Sequence, residues 1–125
     1  MALQLLGSSL TDAHDDHLTW DTHPVSQTVE TGSNATFTCS ATYNSTIEYH
    51  WKHNNKTIEV DTKPRFTMKA NGTLEITNTK LEDQGTYQCY VTMKGRNKTQ
   101  LGESDRATLN VKGKLTTNND LLSRV

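Results

Sequence analysis

Cys39 and Cys89 are the chain's two cysteines, and each sits in the middle of a short run in which apolar and polar residues alternate. Phe37, Cys39 and Ala41 form one apolar set, and Tyr87, Cys89 and Val91 form another. Successive side chains of a strand point to opposite faces, so both cysteines belong to the inward faces of two separate strands. A bond between them would cross between two packed sheets. By closing a loop of about 50 residues, it would remove on the order of 4 kcal/mol of unfolded-chain entropy. Free buried thiols in a reducing compartment are the competing reading.

The same alternation runs from Pro24 to about Lys112 and predicts an all-β domain. The inward sets are Val25 with Val29, Ile47 with Tyr49 and Trp51, Phe66 with Met68, Leu74 with Ile76, and Ala107 with Leu109 and Val111. Asn71-Gly72 predicts a hairpin turn, because both residue types tolerate positive φ. His53 to Lys56 predicts a second turn, leading into a short edge strand around Thr57 to Val60. Residues 1–22 lack a sustained period and read as a leader or linker. Residues 23–112 read as the domain, and 113–125 as a polar tail. At 125 residues, 32% apolar, the chain has room for one thin core.

Five Asn-x-Thr acceptor patterns, at Asn34, Asn44, Asn55, Asn71 and Asn97, each fall at a predicted loop or strand end. Together they favour a secreted or cell-surface chain, and with it the oxidised reading of the cysteines. The formal net charge is -1 with no long run of either sign, which argues against nucleic acid or an anionic membrane as partner. No stretch approaches the roughly 18 apolar residues that span a bilayer.

Cys39, Trp51 and the run Asp83-Gln84-Gly85-Thr86-Tyr87-Gln88-Cys89 together resemble the core pin of an immunoglobulin domain. The resemblance covers about Pro24 to Val111. It implies a two-sheet antiparallel sandwich with a Cys39–Cys89 disulfide packed on Trp51, and a tyrosine corner at Tyr87. It also implies an Arg65–Asp83 ion pair at one end. The interval from Trp51 to Arg65 leaves room for one short C' strand and none for a C'' strand, which points to the I-set type of adhesion-molecule and receptor ectodomains, contactin-like proteins among them.

No catalytic constellation emerges, and the reading is of a non-enzyme without a cofactor. The cluster His14, Asp15, Asp16 and His17 has metal-ligand types but no periodic scaffold around it. His50 and His53, beside Trp51, read as polar residues on the outward side of their strand. The expected function is recognition of a protein, homophilic pairing included, through the face of the C-F-G sheet, at Glu48, His50, Lys52, Gln88, Tyr90 and Thr92. Sequons at both tips leave that face as the open surface. Lys94, Arg96 and Lys98, on an F-G connection read as Met93 to Asp105, offer a contact for sulfated glycan. The alternative functions are a spacer in a tandem array, which binds nothing itself, and an intracellular sarcomeric domain without disulfide or glycans.

Overall fold

The structure is a computed structural model that describes residues 17–94 and 99–113. The strands are β1 (Thr19–Thr22), β2 (Gln27–Glu30), β3 (Ala35–Phe37), β4 (Ser40–Thr42), β5 (Ile47–His53), β6 (Lys56–Thr57), β7 (Phe66–Met68), β8 (Leu74–Ile76), β9 (Gly85–Lys94) and β10 (Thr99–Lys112). Two single 3-10 turns, Val60–Thr62 and Leu81–Asp83, lie between them.

One layer is the five-stranded sheet β2-β10-β9-β5-β6, antiparallel except where β2 runs parallel to β10. The other is built from β3-β8-β7 and the pair β1-β4, with β3 and β4 separated by only Thr38 and Cys39. The Cys39–Cys89 disulfide ties the second layer to β9 of the first. The inward sets read from the sequence, Val25 excepted, fill the space between. Phe37 stacks on Tyr87 with centroids 4.9 Å apart and meets Trp51 at 5.9 Å. Leu74, Ile76 and Leu109 are fully buried around them.

Both predicted turns form. Asn54 and Asn55 take φ of 52° and 71°, as a two-residue turn pairing His53 with Lys56 requires. Between β7 and β8 the loop is longer: Lys69 and Thr73 still pair, Gly72 N donates to Lys69 O at 2.9 Å, and Gly72 alone takes positive φ, at 98°. This is the three-residue loop with a glycine in the left-handed position.

Four expectations need correction. The boundary drawn after residue 22 excludes a strand, since β1 pairs with β4 and brings Trp20 against the core. Val25 is 73% exposed; the chain crosses from one layer to the other at His23–Ser26, and Pro24 is the residue buried there. The crossing is stitched to β10: Asp105 N donates to His23 Nδ1 at 3.0 Å and Thr108 N to Ser26 Oγ at 2.8 Å. The edge strand read to Val60 stops at Thr57. The F-G connection read as Met93 to Asp105 is mostly strand, with ladder pairing up to Lys94 opposite Thr99.

Candidate functional site

At one end of the sandwich, the Arg65 guanidinium grips Asp83 with two hydrogen bonds of 2.8 and 3.0 Å and also donates to the carbonyls of Thr77 and Asn78. Lys80 N donates to the same carboxylate at 2.8 Å, and the Tyr87 hydroxyl to the Asp83 carbonyl at 2.7 Å. Burial opposes ionisation of Asp83, but the Arg65 hydrogen bonds, the Lys80 amide and the charge of Arg65 outweigh it and hold the carboxyl below its usual range. Burial also raises the Tyr87 phenol well above its ordinary value. His53 belongs to this end as well. It shares the strand parity of Trp51, stacks on Tyr87 at 4.4 Å and donates from Nε2 to Gln84 O at 2.8 Å. The outward placement expected for it is therefore corrected, while His50 does face outward.

On the outer face of the five-stranded sheet, Tyr90 sits at the centre, opposite His50 on β5 and Glu103 on β10. Its ring stacks on His50 at 4.8 Å, the Lys52 ammonium lies 5.1 Å from its centroid, and its hydroxyl meets Thr57 Oγ1 at 3.0 Å. Lys52 in turn bonds Glu103 at 3.1 Å. His50 Nε2 lies 3.4 Å from Thr92 Oγ1 and 4.0 Å from the Glu48 carboxylate. Five of the six face residues read from the sequence are thus brought together.

Gln88 is not among them. The ladder shifts by one residue between Gln88 and Tyr90, which places Ser104 and Asp105 opposite Cys89 as a bulge. The bulge turns the Ser104 carbonyl out of the ladder, and Gln88 Nε2 folds over to donate to it at 2.8 Å, leaving Gln88 7% exposed. Inside the bulge, the Ser104 hydroxyl accepts from Cys89 N at 3.1 Å.

A family model described as an immunoglobulin domain matches residues 18–92, more than half of the chain. The chain belongs to the immunoglobulin domain family. Mouse protein sidekick-2 is 37% identical over 76 residues, covering 59% of this chain and 4% of that protein. The Drosophila tyrosine-protein phosphatase Lar is 35% identical over 66 residues, 53% of this chain and 3% of Lar. The human peroxidasin homolog is 39% identical over 66 residues, 53% of this chain and 4% of that protein. The immunoglobulin domain therefore spans a few per cent of the curated relatives it matches.

Among solved structures, the N-terminal Ig1-2 module of the Drosophila receptor protein tyrosine phosphatase DLAR is similar with a TM-score of 0.65 at 29% identity, over 78% of this chain and 46% of that one. Titin M4 is similar with a TM-score of 0.59 at 27% identity, over 78% and 98%.

The structure adds Leu101, Glu103 and Thr57 to the face of the immunoglobulin domain. Leu101 lies opposite Thr92 and is 67% exposed. Its alternation with Glu103 was the available signal, hidden by treating 93–105 as a loop. Lys94 is exposed at the end of β9; Arg96, Asn97 and Lys98 lie outside the described residues. Asn34, Asn44, Asn55 and Asn71 are all exposed and lie in turns or beside strand ends. Of the His14–His17 cluster, the first three residues lie outside the described residues, among which no group of three metal-ligand side chains occurs. No helix among the described residues is long and apolar enough to cross a membrane.

Proposed function

We propose that this immunoglobulin domain is an extracellular protein-recognition module, part of an adhesion or receptor ectodomain of the kind contactin-like proteins have, and that it binds through the β5-β9-β10 face without catalysing a reaction. The observation that carries this reading is Tyr90. An aromatic side chain at the centre of a sheet face, held by His50, Lys52 and Thr57, presents large amphipathic area with little rotamer freedom left to lose on binding. Glu48, His50, Lys52 and Glu103 mix both charges around it, which suits a protein partner, a second copy of the domain included. The exposed acceptors Asn34, Asn44, Asn55 and Asn71 all lie off this face, so glycans on them would leave it open. Similarity to sidekick and Lar supports a place at the cell surface.

The test is sedimentation of the domain against concentration, together with a binding screen against extracellular proteins using the parent and Tyr90→Ala. A central anchor weakens binding by about 30-fold or more when truncated. A Tyr90→Ala domain that keeps every interaction of the parent moves the site elsewhere. A parent that is monomeric and finds no partner supports the spacer reading instead. The basic residues Lys94, Arg96 and Lys98 offer a separate contact for sulfated glycan, expected to give salt-sensitive heparin retention that vanishes when all three are neutralised.

A further inference from the structure

The turn between β7 and β8 holds the chain's single Asn-Gly pair, and its glycine faces Trp51. Gly72 is buried, and its carbonyl accepts the Trp51 indole N–H at 2.9 Å. Trp51 itself is 2% exposed. A Cβ on Gly72 would lie 2.5 Å from the Cys39 carbonyl oxygen and 3.0 Å from the Tyr49 ring, so the backbone here is wedged against β-layer atoms and has no room to move inward. One residue earlier, Asn71 is exposed, with Oδ1 accepting from Thr73 N at 3.1 Å, a contact that polarises the carboxamide carbon.

We propose that Asn71 is a covalent modification site coupled to the core: unmodified, its carboxamide cyclises onto the Gly72 nitrogen and opens to isoaspartate, which detaches the Gly72 carbonyl from Trp51. In the first step, base removes the Gly72 amide proton, the nitrogen attacks Asn71 Cγ, the Cγ–Nδ2 bond breaks and ammonia leaves, closing a five-membered succinimide. Water then adds to one imide carbonyl. Addition at the side-chain carbonyl gives aspartate; addition at the main-chain carbonyl gives isoaspartate, with the chain rerouted through Cβ and Cγ. The balance is one water in and one ammonia out, with no redox change. Glycine offers the attacking nitrogen no side-chain obstruction, and the flanking Lys69, Ala70 and Asn71 are all exposed, so the Gly72 N–H can leave Lys69 O when the turn opens. The rerouted chain carries one extra backbone carbon immediately before a glycine that cannot shift inward, so the carbonyl turns away from the indole.

Asn71-Gly72-Thr73 is also a glycosylation pattern. A glycan on Nδ2 replaces ammonia by a bulky leaving group and covers the turn, so it blocks the reaction. This protective half rests on reading Asn71 as an acceptor; the chemical half does not.

The experiment ages the full oxidised chain, secreted by a bacterial host, at mildly alkaline pH. It follows amide-to-acid conversion by peptide mass and isoaspartate by enzymatic methylation, with the Trp51 indole N–H resonance read in a Trp20→Phe background. Conversion at Asn71 is expected several-fold faster than at the other asparagines and absent in Asn71→Gln. The isoaspartyl form is expected to lose the Trp51 indole protection and to melt about 5 °C or more lower, while Asn71→Asp, with a normal backbone, keeps both. Conversion at Asn71 no faster than elsewhere, or an isoaspartyl form with its indole bond and melting point intact, overturns the proposal. In a eukaryotic secretory host, the glycosylated parent is expected to resist and Thr73→Ala to convert. An unoccupied Asn71, or a glycosylated form that converts equally fast, overturns the protective half alone.

Discussion

Asp83 is 3% exposed, and its carboxylate accepts from the Arg65 guanidinium and the Lys80 amide as an anion. Replacing it by asparagine leaves the Arg65 guanidinium, itself largely covered, with only the exposed Glu82 carboxylate 3.9 Å away as counter-charge, and is expected to cost about 2–3 kcal/mol of stability. The folded-state pKa lies below the ordinary value of 3.8, so on acidification the unfolded chain takes up the proton first. The contribution is therefore full above that value and is lost as pH falls through the lower, folded one. Urea midpoints taken from neutral to strongly acidic pH are expected to fall more steeply for the parent than for Asp83→Asn. Tyr87→Phe removes the hydroxyl that satisfies the Asp83 carbonyl and is expected to cost about 1–2 kcal/mol by the same measurement. Asp83 and Tyr87 were legible in the run from Asp83 to Cys89, which fixes their spacing, and Arg65 through the resemblance to immunoglobulin domains. His53 shares the parity of Trp51, so alternation already points it inward, and the outward expectation gave more weight to its polar ring than to its place in the strand.

Among the elements, β1, the start of β10 and the bulge within it are what sequence periodicity missed. A four-residue strand carrying one apolar residue, Trp20, has no period to detect; it exists because β4 offers an edge and the core offers Trp20 a surface. A chain starting at His23 is expected to melt measurably lower than one starting at His17, by the loss of a partly buried tryptophan, about 2–3 kcal/mol. The bulge depends on Ser104, whose hydroxyl accepts from the buried Cys89 N–H and donates to Asp105 O at 2.8 Å. Ser104→Ala orphans that amide and is expected to cost about 1–3 kcal/mol, with faster hydrogen exchange at Cys89 as the local readout. One extra residue in a strand flips its subsequent parity, which is why Leu101 and Glu103 join the candidate face, while Gln88, whose own strand keeps its parity, is drawn down by the carbonyl that the bulge turns out.

For the whole molecule, the thin core makes the disulfide a large share of the stability. Cross-linking residues 50 apart contributes on the order of 4 kcal/mol against a typical total of about 5–15. Reduction under native buffer is expected to bring the domain close to unfolding, seen as loss of β-sheet circular dichroism near room temperature. A reduced chain that melts with the oxidised one would place the stability in the packing of Phe37, Trp51 and Tyr87 alone. The two layers are also joined by the crossing at His23–Ser26, whose hydrogen bonds to Asp105 and Thr108 hold β10 from the outside.

By itself the sequence determined the sandwich and the disulfide, because these follow from period-two burial and from one tightly spaced motif; the resemblance that motif carries supplied the Arg65–Asp83 pair, and alternation the placement of most side chains around Tyr90. The tertiary structure decided that Thr19–Thr22 joins the sandwich as a strand, where β10 breaks register, and that the Asn71-Gly72 turn is hydrogen-bonded into the core. Each of these depends on a partner distant in the chain, an open strand edge, an extra residue opposite Cys89 or an indole waiting for a carbonyl, and local pattern carries no record of such partners.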